Sequence, residues 1–292
     1  MEIKPTKENL KEWIDIYVPE TDLFFIKGEL LSKGIDISEV ILMPKDEFFN
    51  HSTFSQINFV NSYLYWNIKN IEYVIIAEKN WIVNLPLEEK KMILNSQVRC
   101  KRGLVIPTKF VNDLTTVPSD YIVNDHIIIQ RAMWEKLNNA NKEQMLSTMV
   151  YEWWDNGKCE IPPDSMPRFM EPFANTFSNK QGANCLAAVL FAVTEGRQKW
   201  FISEWIHQQT FIEALKNNSY DVVSDDNILV NDVIVWLDTN GIIQHAAFHI
   251  GDDFYFNKDG QTIFNPWKIL KKEQLFKDWE HLTPIIYRCY KD

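Results

Sequence analysis

The pattern of apolar and polar positions predicts a first half of the chain that is mainly helical. Four apolar residues recur at helical spacing and predict a first helix: Leu10, Trp13, Ile14 and Tyr17. Further helices are predicted over 22–33, 87–98 and 142–154. Short apolar runs at 104–106 and 127–129 predict two strands among them. We therefore expect residues 1–155 to form a mainly helical domain, whose role the sequence does not indicate.

The pattern changes to alternating strands in the last third of the chain. A strand is predicted over 232–238, and Thr239-Asn240-Gly241 is a strong hairpin turn signal. Residues 242–250 read as the returning strand and 254–257 as a third strand. A helix near 271–279 and a strand over 284–290 follow. Helices followed by an antiparallel meander predict an α+β fold.

A polar segment over 155–164 is the best candidate for a domain boundary. It contains Gly157 and the pair Pro162-Pro163, residues that interrupt helices and strands. We therefore predict two domains, 1–155 and 156–292. A long loop within one body would have the same composition.

The longest nearly uncharged apolar run, 181–193, predicts a buried helix at the centre of the second domain. Asn184 is a favoured N-cap, and Gly196 is well placed to end the helix. Cys185 is then the first helical residue, where the helix dipole favours a thiolate. Two interpretations remain open from this segment alone: a nucleophilic cysteine, or a small buried hydrophobic residue.

Composition excludes several classes of partner. The formal net charge of −10 argues against nucleic acid and against anionic membrane surfaces as partners. No segment is apolar enough to span a membrane, and Met1–Pro5 is not followed by the apolar stretch of a secretory signal. The four cysteines lie far apart without metal-ligand spacing, so we expect a reducing cytoplasm. No cofactor or metal is expected, and the oligomeric state is not indicated.

The predicted hairpin brings a second set of polar side chains together. With a three-residue loop at 250–252, residue 249 pairs with 253, and His245 lies opposite Asn257 on one face. Phe248 and Phe256 point to the other face. An imidazole held by an amide and facing Cys185 is the layout of a thiol nucleophile, its base and the residue that orients the base. His249, four residues after His245, also suggests a metal site, but no third ligand has a recognisable spacing.

Two segments carry a resemblance to a known family: 232–236 (Asp-Val-Ile-Val-Trp) and 244–257 (Gln-His-Ala-Ala-Phe-His-Ile-Gly-Asp-Asp-Phe-Tyr-Phe-Asn). With Cys185 ahead of them, they resemble the NlpC-type papain-like cysteine peptidases over roughly residues 175–292. The order of cysteine before histidine differs from that of the circularly permuted, lipid-acting relatives. This chain has Asn184-Cys185-Leu186 where the family usually has Asp-Cys-Ser, and Asn257 where its peptidoglycan peptidases more often have histidine.

The resemblance implies a papain-like domain with a central helix packed on an antiparallel sheet. It implies a cysteine peptidase or amidase in which Cys185 attacks a carbonyl, His245 exchanges protons and Asn257 holds the imidazole. The backbone N–H of Cys185 would help to form an oxyanion hole, with Asn179 or Gln181 as the second donor. A small or cell-wall-derived peptide would be the substrate. A binding or scaffold protein that keeps the fold without turnover, and a thiol acyltransferase, are the alternatives.

Overall fold

The computed structural model describes residues 1–224 and 227–290. Within them the chain divides into two compact units, one formed by residues 10–149 and the other by residues 1–9 together with 150–290. The domain limit predicted from sequence, between 155 and 156, lies after the start of the second unit at Val150. Residues 225, 226, 291 and 292 of the predicted C-terminal domain lie outside the described residues.

The first unit mixes helices with two small antiparallel sheets. Its helices, the first of which begins just before the unit, are α1 (Lys7–Ile16), α2 (Gly28–Leu31), α3 (Lys45–Asn50), α4 (Ile57–Tyr63), α5 (Trp81–Asn84), α6 (Leu87–Arg99), α7 (Arg131–Lys136) and α8 (Asn139–Met149). Its strands are β1 (Asp22–Ile26), β2 (Ile41–Pro44), β3 (Tyr73–Ala77), β4 (Val105–Pro107), β5 (Ile122–Val123) and β6 (His126–Ile128). The strand orders are β1-β3-β2 and β4-β6-β5.

One expectation about this unit is wrong. The helix predicted over 22–33 is instead the strand β1 followed by the single turn α2. All five residues of β1 are buried, and a short apolar run buried on both faces has no period that separates strand from helix. The helices of the unit still contain more residues than its strands. The helices predicted near 10–17, 87–98 and 142–154 are confirmed as α1, α6 and α8, and the strands at 104–106 and 127–129 as β4 and β6.

Within the described residues, the second unit contains a six-stranded antiparallel sheet and three α-helices. The helices are α9 (Cys185–Val193), α10 (Gln208–Asn217) and α11 (Lys272–Asp278). The strands are β7 (Tyr220–Val223), β8 (Val233–Leu237), β9 (Ile243–Gly251), β10 (Phe254–Lys258), β11 (Trp267–Lys271) and β12 (Thr283–Cys289). The order is β11-β10-β9-β8-β12-β7. The predicted meander is confirmed, whereas the strands β7 and β11 were not predicted.

The central helix α9 packs on one face of this sheet. Its apolar side chains form a buried cluster with side chains of alternate strand positions, among them Val235, Ala246, Phe248 and Phe256. The intervening positions face the other way, where Trp236, Ala247 and Tyr255 pack with Leu275 of α11. The two faces therefore carry separate cores. Although α9 is almost wholly apolar, neither it nor any other helix in the described part of the chain has the length and hydropathy for a membrane span.

Candidate functional site

The nucleophile candidate Cys185 begins α9, and the helix is capped as the sequence predicts. The side-chain oxygen of Asn184 accepts a hydrogen bond from the amide of Ala187 at 3.0 Å, which satisfies one of the free N–H groups of the first turn. The Asn184 amide nitrogen donates to the carbonyl of Ile206 at 2.8 Å and so attaches the start of the helix to the neighbouring loop. Cys185 itself is partly exposed.

The loop before Cys185 is attached to the turn that follows β10. The amide of Gly182, whose φ of 105° suits glycine, donates to the carbonyl of Gln261 at 3.0 Å. The side-chain oxygen of Asn179 accepts from Asn9, which leaves the Asn179 amide nitrogen as a possible donor. Gln181 is half-buried in the same loop. Both oxyanion-hole candidates therefore lie on the approach to α9.

The structure brings His245 and Asn257 into contact, through a register that differs from the predicted one. The turn holds only Asp252 and Asp253, Phe254 pairs with Gly251, and an irregularity follows. Phe256 then pairs with Phe248, which places Asn257 beside Ala247. A shift of two positions leaves a side chain on its original face, because side chains alternate along a strand. Asn257 Nδ2 consequently still lies 3.3 Å from His245 Nε2.

Cys185 and His245 lie toward opposite faces of β9. Cys185 belongs to the core that includes Ala246, whereas the His245 ring packs with Trp236 and Trp279, at centroid distances of 5.6 and 4.4 Å. Among residues 1–224 and 227–290, no hydrogen bond joins Cys185 to His245. The thiol is instead close to the backbone amide of Ala246, the residue next to His245. The thiol thus lies beside the backbone next to His245, without a hydrogen bond to the imidazole within the described residues.

Burial keeps both groups uncharged. It raises the pKa of the Cys185 thiol to about 11, and the nearby backbone amides of Ala246 and Leu186 lower it only in part. Burial, with a smaller contribution from the cation of Lys268, lowers the pKa of His245 to about 3. The thiolate expected from the helix dipole alone is therefore not the resting form, because loss of solvation outweighs the dipole. A neutral thiol and a neutral imidazole are present at neutral pH.

A charged group behind the histidine was not anticipated from the sequence. Asp259 Oδ1 lies 3.2 Å from Asn257 Nδ2 and 3.9 Å from His245 Nε2. Lys268 lies with its Nζ 3.7 Å from Asp259 Oδ2 and 2.8 Å from Asp155 Oδ2. Lys268 pairs with Asn257 across β10 and β11, so prediction of β11 would have placed this lysine at the site. These residues extend the candidate site from one amide to an ion-pair network.

A polar cavity of about 600 Å³ opens beside this network. Its lining includes Asp155, Asp259, Lys268, Lys271, Gln274 and Asp278. His245 is not part of the lining, whereas Asp259 and Lys268 are. A ligand in the cavity would meet these two charges first.

His249 occupies a separate environment. Its Nδ1 lies 2.7 Å from the carbonyl oxygen of Leu229 and its Nε2 lies 2.8 Å from that of Asp252. Both ring nitrogens therefore face backbone oxygens, and a metal ligand at this position would have to give up one of these contacts. In the described part of the chain, no cluster of three or more His, Cys, Asp or Glu side chains is arranged to hold a metal ion.

Comparison with protein-family models, curated proteins and solved structures found no match. No relative therefore supplies an activity or a set of catalytic residues. The function proposed next rests on the residues of this chain and their geometry.

Proposed function

We propose that the chain is a cysteine-dependent hydrolase, a peptidase or amidase, whose second unit is a papain-like domain of the NlpC type. The observation that carries the proposal is the pairing of two arrangements on adjacent elements. Cys185 begins a capped helix packed on the sheet, and His245 contacts Asn257, twelve residues later, at the strand beside that helix. A cysteine at a helix start with a nearby amide-held imidazole has the parts of a covalent acyl-transfer site.

The neutral state of both groups favours proton transfer during the attack over a preformed ion pair. The Cys185 thiol proton passes to His245 as sulfur bonds to the substrate carbonyl carbon. The backbone N–H of Cys185, with Asn179 or Gln181 as a second donor, stabilises the oxyanion. His245 returns the proton to the leaving amine as the C–N bond breaks, which leaves a thioester. Water, deprotonated by His245, then cleaves the thioester and restores the thiol.

The substrate we propose is a small peptide or amide, for which a cell-wall-derived peptide is one source. This substrate class rests on the resemblance to the NlpC-type peptidases, since neither Cys185 nor His245 lines the charged cavity beside Asp259 and Lys268. The four unpaired cysteines support a cytoplasmic protein.

One observation favours a second function, that of a binding protein that keeps the fold without turnover. Cys185 and His245 are both neutral and do not share a hydrogen bond within the described residues, although catalytic contacts are often long in the absence of substrate. A scaffold would tolerate this arrangement indefinitely. In an enzyme, substrate binding would bring the Cys185 thiol and the His245 imidazole into contact.

Hydrolysis of a panel of short peptide amides separates these functions. The hydrolase predicts turnover that is lost in Cys185→Ala and retained in Cys289→Ala, since Cys289 is also partly exposed but lies on β12. Mass spectrometry should find an acyl adduct on Cys185. Binding of a peptide with equal affinity to the wild type and Cys185→Ala, without turnover or adduct, would instead establish the binding protein.

A further inference from the structure

The amide of Asn257 lies between an imidazole and a carboxylate. One of its two terminal atoms is 3.3 Å from His245 Nε2 and 3.2 Å from Asp259 Oδ1. The residue is fully buried. The other terminal atom has no hydrogen-bond partner within the described part of the chain. The orientation of this one amide therefore decides which ring nitrogen of His245 carries the proton.

The carboxylate decides that orientation. If the amide oxygen occupied the shared position, it would face an Asp259 oxygen at hydrogen-bond distance with no proton between them. With the NH₂ group there, the amide can donate to Asp259 and to His245 at once. The carbonyl oxygen then takes the position without a partner. A buried Asn257 thus directs its NH₂ group toward the imidazole.

A donor at Nε2 requires a lone pair there. The neutral imidazole has one N–H and one acceptor nitrogen, so the proton resides on Nδ1. Nδ1 makes no hydrogen bond to any residue in 1–224 or 227–290. It is the ring nitrogen that is not held by another residue of the site.

The carboxylate is held in place by charge. Lys268 Nζ lies 3.7 Å from Asp259 Oδ2 and forms a close ion pair with Asp155. Burial opposes the charge of Lys268, but the carboxylates of Asp259 and Asp155 outweigh it, and the net effect raises the pKa of Lys268. On its opposite side, the His245 ring is stacked on Trp279.

We propose that Asp259 is a positioning residue that selects, through the amide of Asn257, the His245 tautomer protonated on Nδ1. The tautomer follows from contacts alone, whereas its catalytic consequence rests on the proposed function. A protonated Nδ1 cannot accept the Cys185 proton. The side-chain amide of Asn257 must first flip. Its oxygen then accepts a hydrogen bond from a protonated Nε2, and the unprotonated Nδ1 can act as the base. Asp259 opposes this flip of the amide and so favours the tautomer in which Nδ1 cannot act as the base.

Nitrogen NMR of the full chain tests the tautomer without reference to activity. Histidine-selective ¹⁵N labelling and long-range ¹H–¹⁵N correlation near pH 7 distinguish a protonated from an unprotonated ring nitrogen, and His245→Gln identifies the signals. We expect the wild type to be protonated on Nδ1. Asp259→Asn should raise the population of the His245 tautomer protonated on Nε2, because the new amide can donate to the Asn257 oxygen after the Asn257 amide flips. Asp278→Asn, which changes another carboxylate lining the same cavity, should leave it unchanged.

Protonation on Nε2 in the wild type would overturn the proposal, as would a tautomer insensitive to Asp259→Asn. If that variant fails to fold, Asn257→Ala provides a second test, since it removes the connection while Asp259 remains. Both tautomers should then be populated, and retention of the Nδ1 form alone would overturn the proposal. The expected NMR result with no hydrolysis by any variant would support the positioning role and count against the hydrolase. Hydrolysis together with an NMR result that contradicts the expected tautomer would support the hydrolase and count against the positioning role.

Discussion

The imidazole of His245 lies parallel to the indole of Trp279, with ring centroids 4.4 Å apart and an interplanar angle of 9°. Trp279 directly follows α11, so the histidine lies on the face of the sheet on which α11 packs. This stacking contributes to the burial that keeps the ring neutral. It also provides a means of testing how the environment controls His245.

Removal of the indole should make His245 easier to protonate. Burial is the main cause of its low pKa of about 3, so Trp279→Ala should raise this pKa toward its ordinary value of 6.5. The measurement is an NMR titration of the His245 ring. Trp200→Ala removes an indole that is 59% exposed and makes an edge-to-face contact with Phe201, and it serves as a control that should leave the His245 pKa unchanged. An unchanged pKa in Trp279→Ala would show that the indole does not control solvation of the ring.

The neutral histidine makes the fold sensitive to acid. Between pH 6.5 and about 3 the unfolded chain binds a proton at His245 that the folded chain does not, so the unfolding free energy contributed by this residue falls as pH falls. The slope approaches about 1.4 kcal/mol per pH unit within this window. Urea unfolding from pH 7 to pH 4 should show a shallower loss in His245→Gln than in the wild type. Parallel pH profiles for the two proteins would contradict the assignment.

Cys185 should react slowly with small alkylating reagents. Because burial raises the pKa of its thiol to about 11, little thiolate is present near pH 7, and the thiolate is the reactive form. Iodoacetamide labelling followed by peptide mass spectrometry should therefore accelerate as the pH rises toward 10. A labelling rate that reaches its plateau below pH 8 would show that the helix dipole outweighs burial after all.

The buried ion pair behind the site should matter for stability. Lys268→Met leaves Asp155 as an uncompensated buried charge, and breaking such a pair costs about 3–5 kcal/mol. Lys271→Met changes an exposed lysine of the same cavity and should cost much less. Urea unfolding measures both. The double variant Lys268→Met with Asp155→Asn should recover part of the loss, and an equal loss in the single and double variants would exclude the pair as its cause.

The sequence predicted those parts of the site that depend on local signals. Asn184 as the cap and Cys185 as the first residue of a buried helix follow from residue type and an apolar run. The His245–Asn257 contact also follows, although the turn was assigned the wrong length, because a shift of two positions preserves the face of a strand. The alternation of side chains along a strand therefore gave the correct contact, although the predicted register was wrong.

The remaining parts depend on tertiary packing. Lys268 reaches Asn257 only through β11, a strand whose sequence, Trp-Lys-Ile-Leu-Lys, has no flanking signal that separates it from the helix after it. The charge states of Cys185 and His245 depend on burial that a linear sequence does not contain. The strand β1 was assigned to a helix for a similar reason, since its burial on both faces removes any period.

The central claim, that Cys185 and His245 act together, is tested most directly by the rate of thioester formation. p-Nitrophenyl acetate acylates a reactive cysteine and releases a coloured product, and mass spectrometry locates the acetyl group. A base in position contributes typically 10²–10⁴-fold. We therefore predict that His245→Gln slows acylation of Cys185 at pH 7 by at least about 100-fold, with Cys289→Ala at the wild-type rate. Equal rates of Cys185 acylation in the wild type and His245→Gln would contradict the account.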